Sequence, residues 1–94
     1  MSNRAKAFFD EFLEDWTREG QSVTEDMRER FQRLADLAEQ VVIAGGSPEV
    51  VRAYQDTVRL EMASGALAAE RSAREAFNRT AIRAIRWIAA TVVA

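Results

Sequence analysis

Residues 63–76 read ASGALAAERSAREA, and whether this stretch continues a helix or interrupts one decides the architecture of the whole chain. Alanine is the strongest helix former, and a single interior glycine costs only about 1 kcal/mol. Between Pro48 and the end of the chain there is no further proline, and Gly65 is the only glycine. The sequence therefore predicts one helix over about residues 47–93, roughly 70 Å long at about 1.5 Å per residue. Its apolar and small positions recur at eleven-residue spacing: Val51, Met62, Ala73 and Ala84 form one row, and Val58, Ala69, Thr80 and Thr91 the next. Such a repeat corresponds to about 3.67 residues per turn and favours a straight or slightly right-handed seam. Within 63–76 the small side chains admit two interpretations. Gly65, Ala66, Ala69 and Ala73 form a surface that a neighbouring helix approaches closely, or the segment is a solvated helix of high propensity. Their position on the stripe that is apolar before and after them favours close approach.

Upstream, Gly45-Gly46-Ser47-Pro48 punctuates the chain. A glycine pair ends a helix, Ser47 caps the next, and proline is tolerated at a first helical position. The preceding helix covers about 22–44. Ser22 and Glu25 have capping-box spacing, and its apolar stripe is Val23, Met27, Phe31, Leu34, Leu37, Ala38, Val41 and Val42. A first amphipathic helix covers about 3–18, with Ala5, Phe8, Phe9, Phe12, Leu13 and Trp16 on one side, acids on the other, and Gly20 stopping it. The expected fold is all-α: an extended antiparallel helical hairpin or a three-helix bundle with one long C-terminal helix (about 47–93), in a single helical domain 1–94.

If helices two and three run antiparallel about the glycine turn, residue i lies near residue 91 minus i, and helix two lies along about 47–70. Helix one, continuing the same way, lies along about 72–88. Phe8, Phe9 and Phe12 then meet Arg79, Ile82 and Arg83, while Asp10, Glu11, Glu14 and Asp15 run beside Arg74, Arg79, Arg83 and Arg86. The other placement folds helix one onto helix two and leaves the last third of helix three bare.

Ninety-four residues make one domain with a thin core, which favours oligomerisation. Cysteine and histidine are both absent, so disulfides, thiol nucleophiles, haem ligation and the usual zinc ligands are excluded, and the commonest general base is missing. No cofactor and no metal are expected. MSNRAKAFFDEF carries no apolar stretch of signal-peptide length, which reads as a cytoplasmic protein. Charge is unevenly spread: residues 1–49 hold eleven acids and six bases, residues 50–94 four acids and seven bases.

The C-terminal stretch 81–94, AIRAIRWIAATVVA, has only eight residues after Arg86, against the about twenty a transmembrane helix needs. Its stripe is instead a partner surface, covered by helix one or by another subunit, and the candidate interface is Phe8, Phe9, Phe12, Trp16, Phe77, Ile82, Ile85, Trp87, Ile88 and Val92. Arg79, Arg83 and Arg86 on one face would also suit an anionic interface. Asp10 with Glu14 and Asp15, and Glu25 with Glu29, have the oxygen chemistry of a hard-cation site but no loop of EF-hand spacing, and are expected to be a solvated face. Tyr54 is either a proton donor or a core residue with its hydroxyl at the edge. Arg71, Arg74, Arg79, Arg83 and Arg86 could contact phosphates, but the acidic chain as a whole speaks against nucleic acid. The expected function is a non-enzymatic helical assembly or scaffold subunit. It would pack its long amphipathic helix against copies of itself, as a homo-oligomer, or against a larger partner complex such as a virion, shell or multi-subunit assembly. The alternative is a peripheral amphipathic-helix coat protein on an anionic membrane or granule surface.

Overall fold

A computed structural model describes residues 2–93, with the backbone alone at Val93. The chain is all-α: α1 (Asn3–Arg18), α2 (Glu25–Ile43), α3 (Pro48–Met62), α4 (Gly65–Ala69) and α5 (Arg71–Val93). The starts of α1, α2 and α3 each have a local cause. Ser2 Oγ accepts from the Ala5 amide at 3.1 Å, Thr24 Oγ1 from the Met27 amide at 3.2 Å, and Ser47 Oγ from the Val50 amide, with Pro48 in the first turn. The second helix thus begins at Glu25 rather than near Ser22, because Thr24 is the cap and the Ser22 carbonyl accepts the Trp16 indole N–H instead, at 2.9 Å.

At the other end of α2, the Gly46 amide returns to the Val41 carbonyl at 2.9 Å and the Gly45 amide to that of Val42 at 3.0 Å, a Schellman pair. Both glycines have positive φ, +68° and +73°. A side chain at Gly46 would also press on Val92 Cγ1 at 3.3 Å.

The single long helix expected over about 47–93 is interrupted. Ser64 is extended (φ −122°, ψ 153°), Gly65 has φ +63°, and Glu70 is extended again (φ −124°, ψ 113°). In an unbroken helix the carbonyls of Glu61 and Ser64 would accept from amides four residues on. Here the guanidinium of Arg30, reaching across from α2, takes both: Nη1 donates to Glu61 O at 2.6 Å and Nη2 to Ser64 O at 2.8 Å. A tertiary donor replaces the helical one, and the chain turns back.

The consequence is an up-down-up-down bundle of α1, α2, α3 and α5, each antiparallel to the next, with α5 closing against α1. Its extents are 35 × 23 × 20 Å, far from the length of an unbroken third helix. α1 covers α2 and α5 together, so both placements considered for it are realised at once and the last third of α5 is not bare. Across the diagonal, Phe31 of α2 and Phe77 of α5 stack at 5.5 Å, and Phe31 also meets Phe12 at 5.7 Å and Trp16 at 5.6 Å. These rings, with Leu34, Ala35, Ala38, Tyr54 and Ala76, form the core.

Candidate functional site

The bundle brings the ten candidate interface residues to different places. Phe8, Phe12, Trp16, Phe77 and Ile88 are buried within the chain, and Phe9 packs against the core from its edge. Their partner is internal: α1 lies on α5, with the Phe8 and Trp87 rings edge to face at 4.8 Å. Ile85 and Val92 are half-buried, whereas Ile82 and Trp87 keep 42% and 41% of their surface exposed.

The charges between α1 and α5 are as closely matched as the rings. Arg83 Nε holds Asp15 Oδ2 at 2.6 Å and its Nη2 holds Glu19 Oε2 at 2.8 Å, while Arg79 Nη2 takes Glu19 Oε1 at 2.7 Å. Asp15 meets Arg83 as the sequence implies, but the second acid is Glu19. Glu14 pairs with Arg18 at 2.6 Å on its own helix. Arg74 donates to the Ala68 carbonyl, and Arg71 pairs with Glu75 at 3.0 Å. Of the acidic clusters considered for a cation, Glu14 and Asp15 are therefore engaged by arginines, and among the described residues no group of three or more ligating side chains converges. Hydrogen bonds from Arg79 and then Arg83 hold the Glu19 carboxyl down, from 4.5 to about 2. A depressed carboxylate stabilises the fold fully above its unfolded pKa and loses that contribution as pH falls through the folded one. The α1–α5 clamp is thus expected to weaken as pH falls from about 4.5 towards 2. Acid titration of wild type and Glu19→Gln checks this: the variant should lack that part of the wild-type stability loss.

Three adjoining depressions run along the seam between α3 and α5. At its glycine-turn end a cavity of about 330 Å³ is lined by Val41, Gly46, Val51, Tyr54, Ile88 and Val92, among others. Tyr54 reaches it from α3 and is only 1% exposed; its hydroxyl has no hydrogen-bond partner, and burial raises its pKa above the ordinary phenol value. The hydroxyl is thus interior rather than at the edge. The seam continues as a second depression between Val58 and Met62 of α3 and Asn78, Ala81, Ile82 and Ile85 of α5, and then to Ala63 and Arg74. Ile85 belongs to the first two depressions, and Met62 and Asn78 to the last two, so the three form one groove along the bundle. Arg52 and Arg86 are exposed and make no ion pair among the described residues; Arg52 lies three residues before Gln55 and Arg86 four after Ile82, so each flanks a groove-lining position at helical spacing.

Two residues that the periodicity did not single out organise this architecture. Arg30 is 3% exposed and is held by Asp26 Oδ2 at 2.8 Å and Glu61 Oε2 at 2.7 Å, and Arg33 Nε holds the other Glu61 oxygen at 2.7 Å. The signal was present: Arg30 lies on the apolar stripe between Met27 and Leu34, and 91 minus 30 is 61. Among the described residues no helix is long and apolar enough to cross a membrane. No protein family, curated protein or solved structure matches the chain, so its function has to be argued from its own residues.

Proposed function

We propose that this chain is a non-enzymatic helical assembly or scaffold subunit whose α3–α5 groove receives an amphipathic helix with acidic flanks, from a second copy or from another subunit of a larger complex. The supporting observation is the groove itself, lined largely by apolar side chains and crossed by no aromatic pair or ion pair among the described residues, whereas such pairs bridge α1 to α2 and α5, and α2 to α3 and α5. A groove between two antiparallel helices takes a third helix by inserting its one-in-three and one-in-four apolar side chains. The unpaired Arg52 and Arg86 flanking the groove favour acids on that helix. The cytoplasm is the compartment this proposal assumes. A coat on an anionic surface is the weaker proposal, since Arg79 and Arg83 are engaged by Asp15 of α1 and by Glu19 at its C-cap, and of the three only Arg86 has no ion pair among the described residues.

Ile82→Asp tests the proposal. The side chain is exposed, so folding stability should change by about 0.5 kcal/mol or less, while self-association or partner capture should fall at least about tenfold, because a charge enters an apolar contact. Arg83→Gln should leave association nearly unchanged. Sedimentation at two salt concentrations reads both; unchanged association in Ile82→Asp would exclude the groove as the docking surface.

A further inference from the structure

We propose that the connector between α3 and α5 is a hinge that opens into one continuous helix, so that two copies of this chain exchange α5 and form an elongated antiparallel dimer. The proposal is independent of the groove as a docking surface. It rests on a conflict between local sequence and tertiary contact at residues 63–70.

Locally, the connector favours a helix. Ala63, Ala66, Ala68 and Ala69 surround Leu67, with no proline and no β-branched residue. The closed conformation has few local supports. α4 is five residues long, and Ser64 at its start makes no side-chain cap bond. The turn is held from outside, by Arg30 on the Glu61 and Ser64 carbonyls and on Ser64 Oγ at 3.2 Å, and by Leu67, the one buried side chain of α4. Gly65 completes it at φ +63°, where a Cβ would collide with Arg30 Nη2. The closed turn therefore requires glycine twice over, whereas a straight helix is disfavoured by it.

The geometry of exchange is already present in the monomer. α3 and α5 are antiparallel neighbours, with Met62 and Asn78 lining one end of the seam and Val51 and Val92 the other. Straightening the connector in two copies gives two long antiparallel helices. The α3 half of each lies against the α5 half of the other, and every α1–α5, α2–α5 and α3–α5 contact is remade between chains. The register of the seam brings the two connectors together at the crossing, where Ala66, Ala69 and Ala73 permit close approach. Each copy gives up Leu67 burial and the Ser64–Arg30 bonds and regains helical hydrogen bonds through the connector. Exchange of an identical element needs no new interface, so protein concentration sets the balance.

Two substitutions push this equilibrium in opposite directions. Gly65→Ala is strained in the closed turn and favoured in the straight helix, by about fivefold per copy. It should lower the dimer dissociation constant by about 30-fold or more. Ala66→Pro falls in the first turn of α4, where a missing N–H is tolerated, but would break a continuous helix; it should keep the chain monomeric and folded. Sedimentation gives the mass, and small-angle scattering gives the shape. The Gly65→Ala dimer should span a helix of about 70 Å, against the 35 Å long axis of the monomer. A Gly65→Ala chain that is monomeric or unfolded at all concentrations overturns the proposal. So does a dimer that persists in Gly65→Ala/Ala66→Pro, or a compact one dissolved by Ile82→Asp, the signature of docking in the groove without exchange.

Discussion

Arg30→Met is expected to cost about 3–5 kcal/mol of folding free energy, the range for breaking a buried ion pair from one side. The guanidinium is almost wholly buried and serves five acceptors: the Asp26 and Glu61 carboxylates, the Glu61 and Ser64 carbonyls, and Ser64 Oγ. Removing it strands the Ser64 carbonyl, leaves the Glu61 carbonyl only the long bonds from the Ser64 amide and hydroxyl, both 3.4 Å, and leaves the Glu61 carboxylate to Arg33 alone. Arg33 is half exposed, so Arg33→Met should cost about 1 kcal/mol or less. The double replacement Arg30→Met/Glu61→Leu should recover part of the loss, because an apolar pair of similar volume removes the stranded charge. Urea unfolding at low protein concentration, where α5 exchange does not contribute, measures all three. Equal costs for Arg30→Met and Arg33→Met would show that the buried network does not hold the turn.

Phe31→Ala should be comparably damaging, about 3–5 kcal/mol from lost burial and the cavity left behind. For a domain of this size that is a fall of about 15 °C or more in Tm. Phe31 has 0% of its surface exposed and is the one ring that touches rings on two other helices, Phe12 and Trp16 of α1 and Phe77 of α5. Its loss loosens α1 from α2 and α2 from α5 together. Trp87→Ala, at the rim of the same bundle and partly exposed, should cost markedly less. Thermal unfolding followed by far-UV circular dichroism compares them. A Phe31→Ala Tm within a few degrees of wild type would place the core elsewhere.

The sequence by itself determined whatever depends on neighbours in the chain. Apolar residues at three- and four-residue spacing located α1 and α2, and the glycine pair with Ser47-Pro48 located the turn, because helix ends are set by amides and carbonyls that lack partners within the same few residues. The antiparallel register about that turn was equally legible, although the Arg30–Glu61 pair that satisfies it was not singled out. Matching acids and arginines offered α1 a place along α5 as one of two placements, and the structure supplied the particular pairs, Asp15 with Arg83 and Glu19 with Arg79 and Arg83. Only the tertiary structure decided that residues 63–70 turn back. Alanine content and the absence of proline argue for a straight helix there, and the opposing term is a guanidinium 31 positions away in the chain, invisible to any local pattern. That one contact converts a long helix into a bundle with α5 folded home, and so decides which candidate residues face outward. Phe8, Phe12, Trp16, Phe77 and Ile88 are consumed by internal packing, while Ile82, Ile85 and Val92 remain along the α3–α5 groove. Periodicity reports that a face is apolar, but what covers that face depends on which helices the closed bundle brings against it.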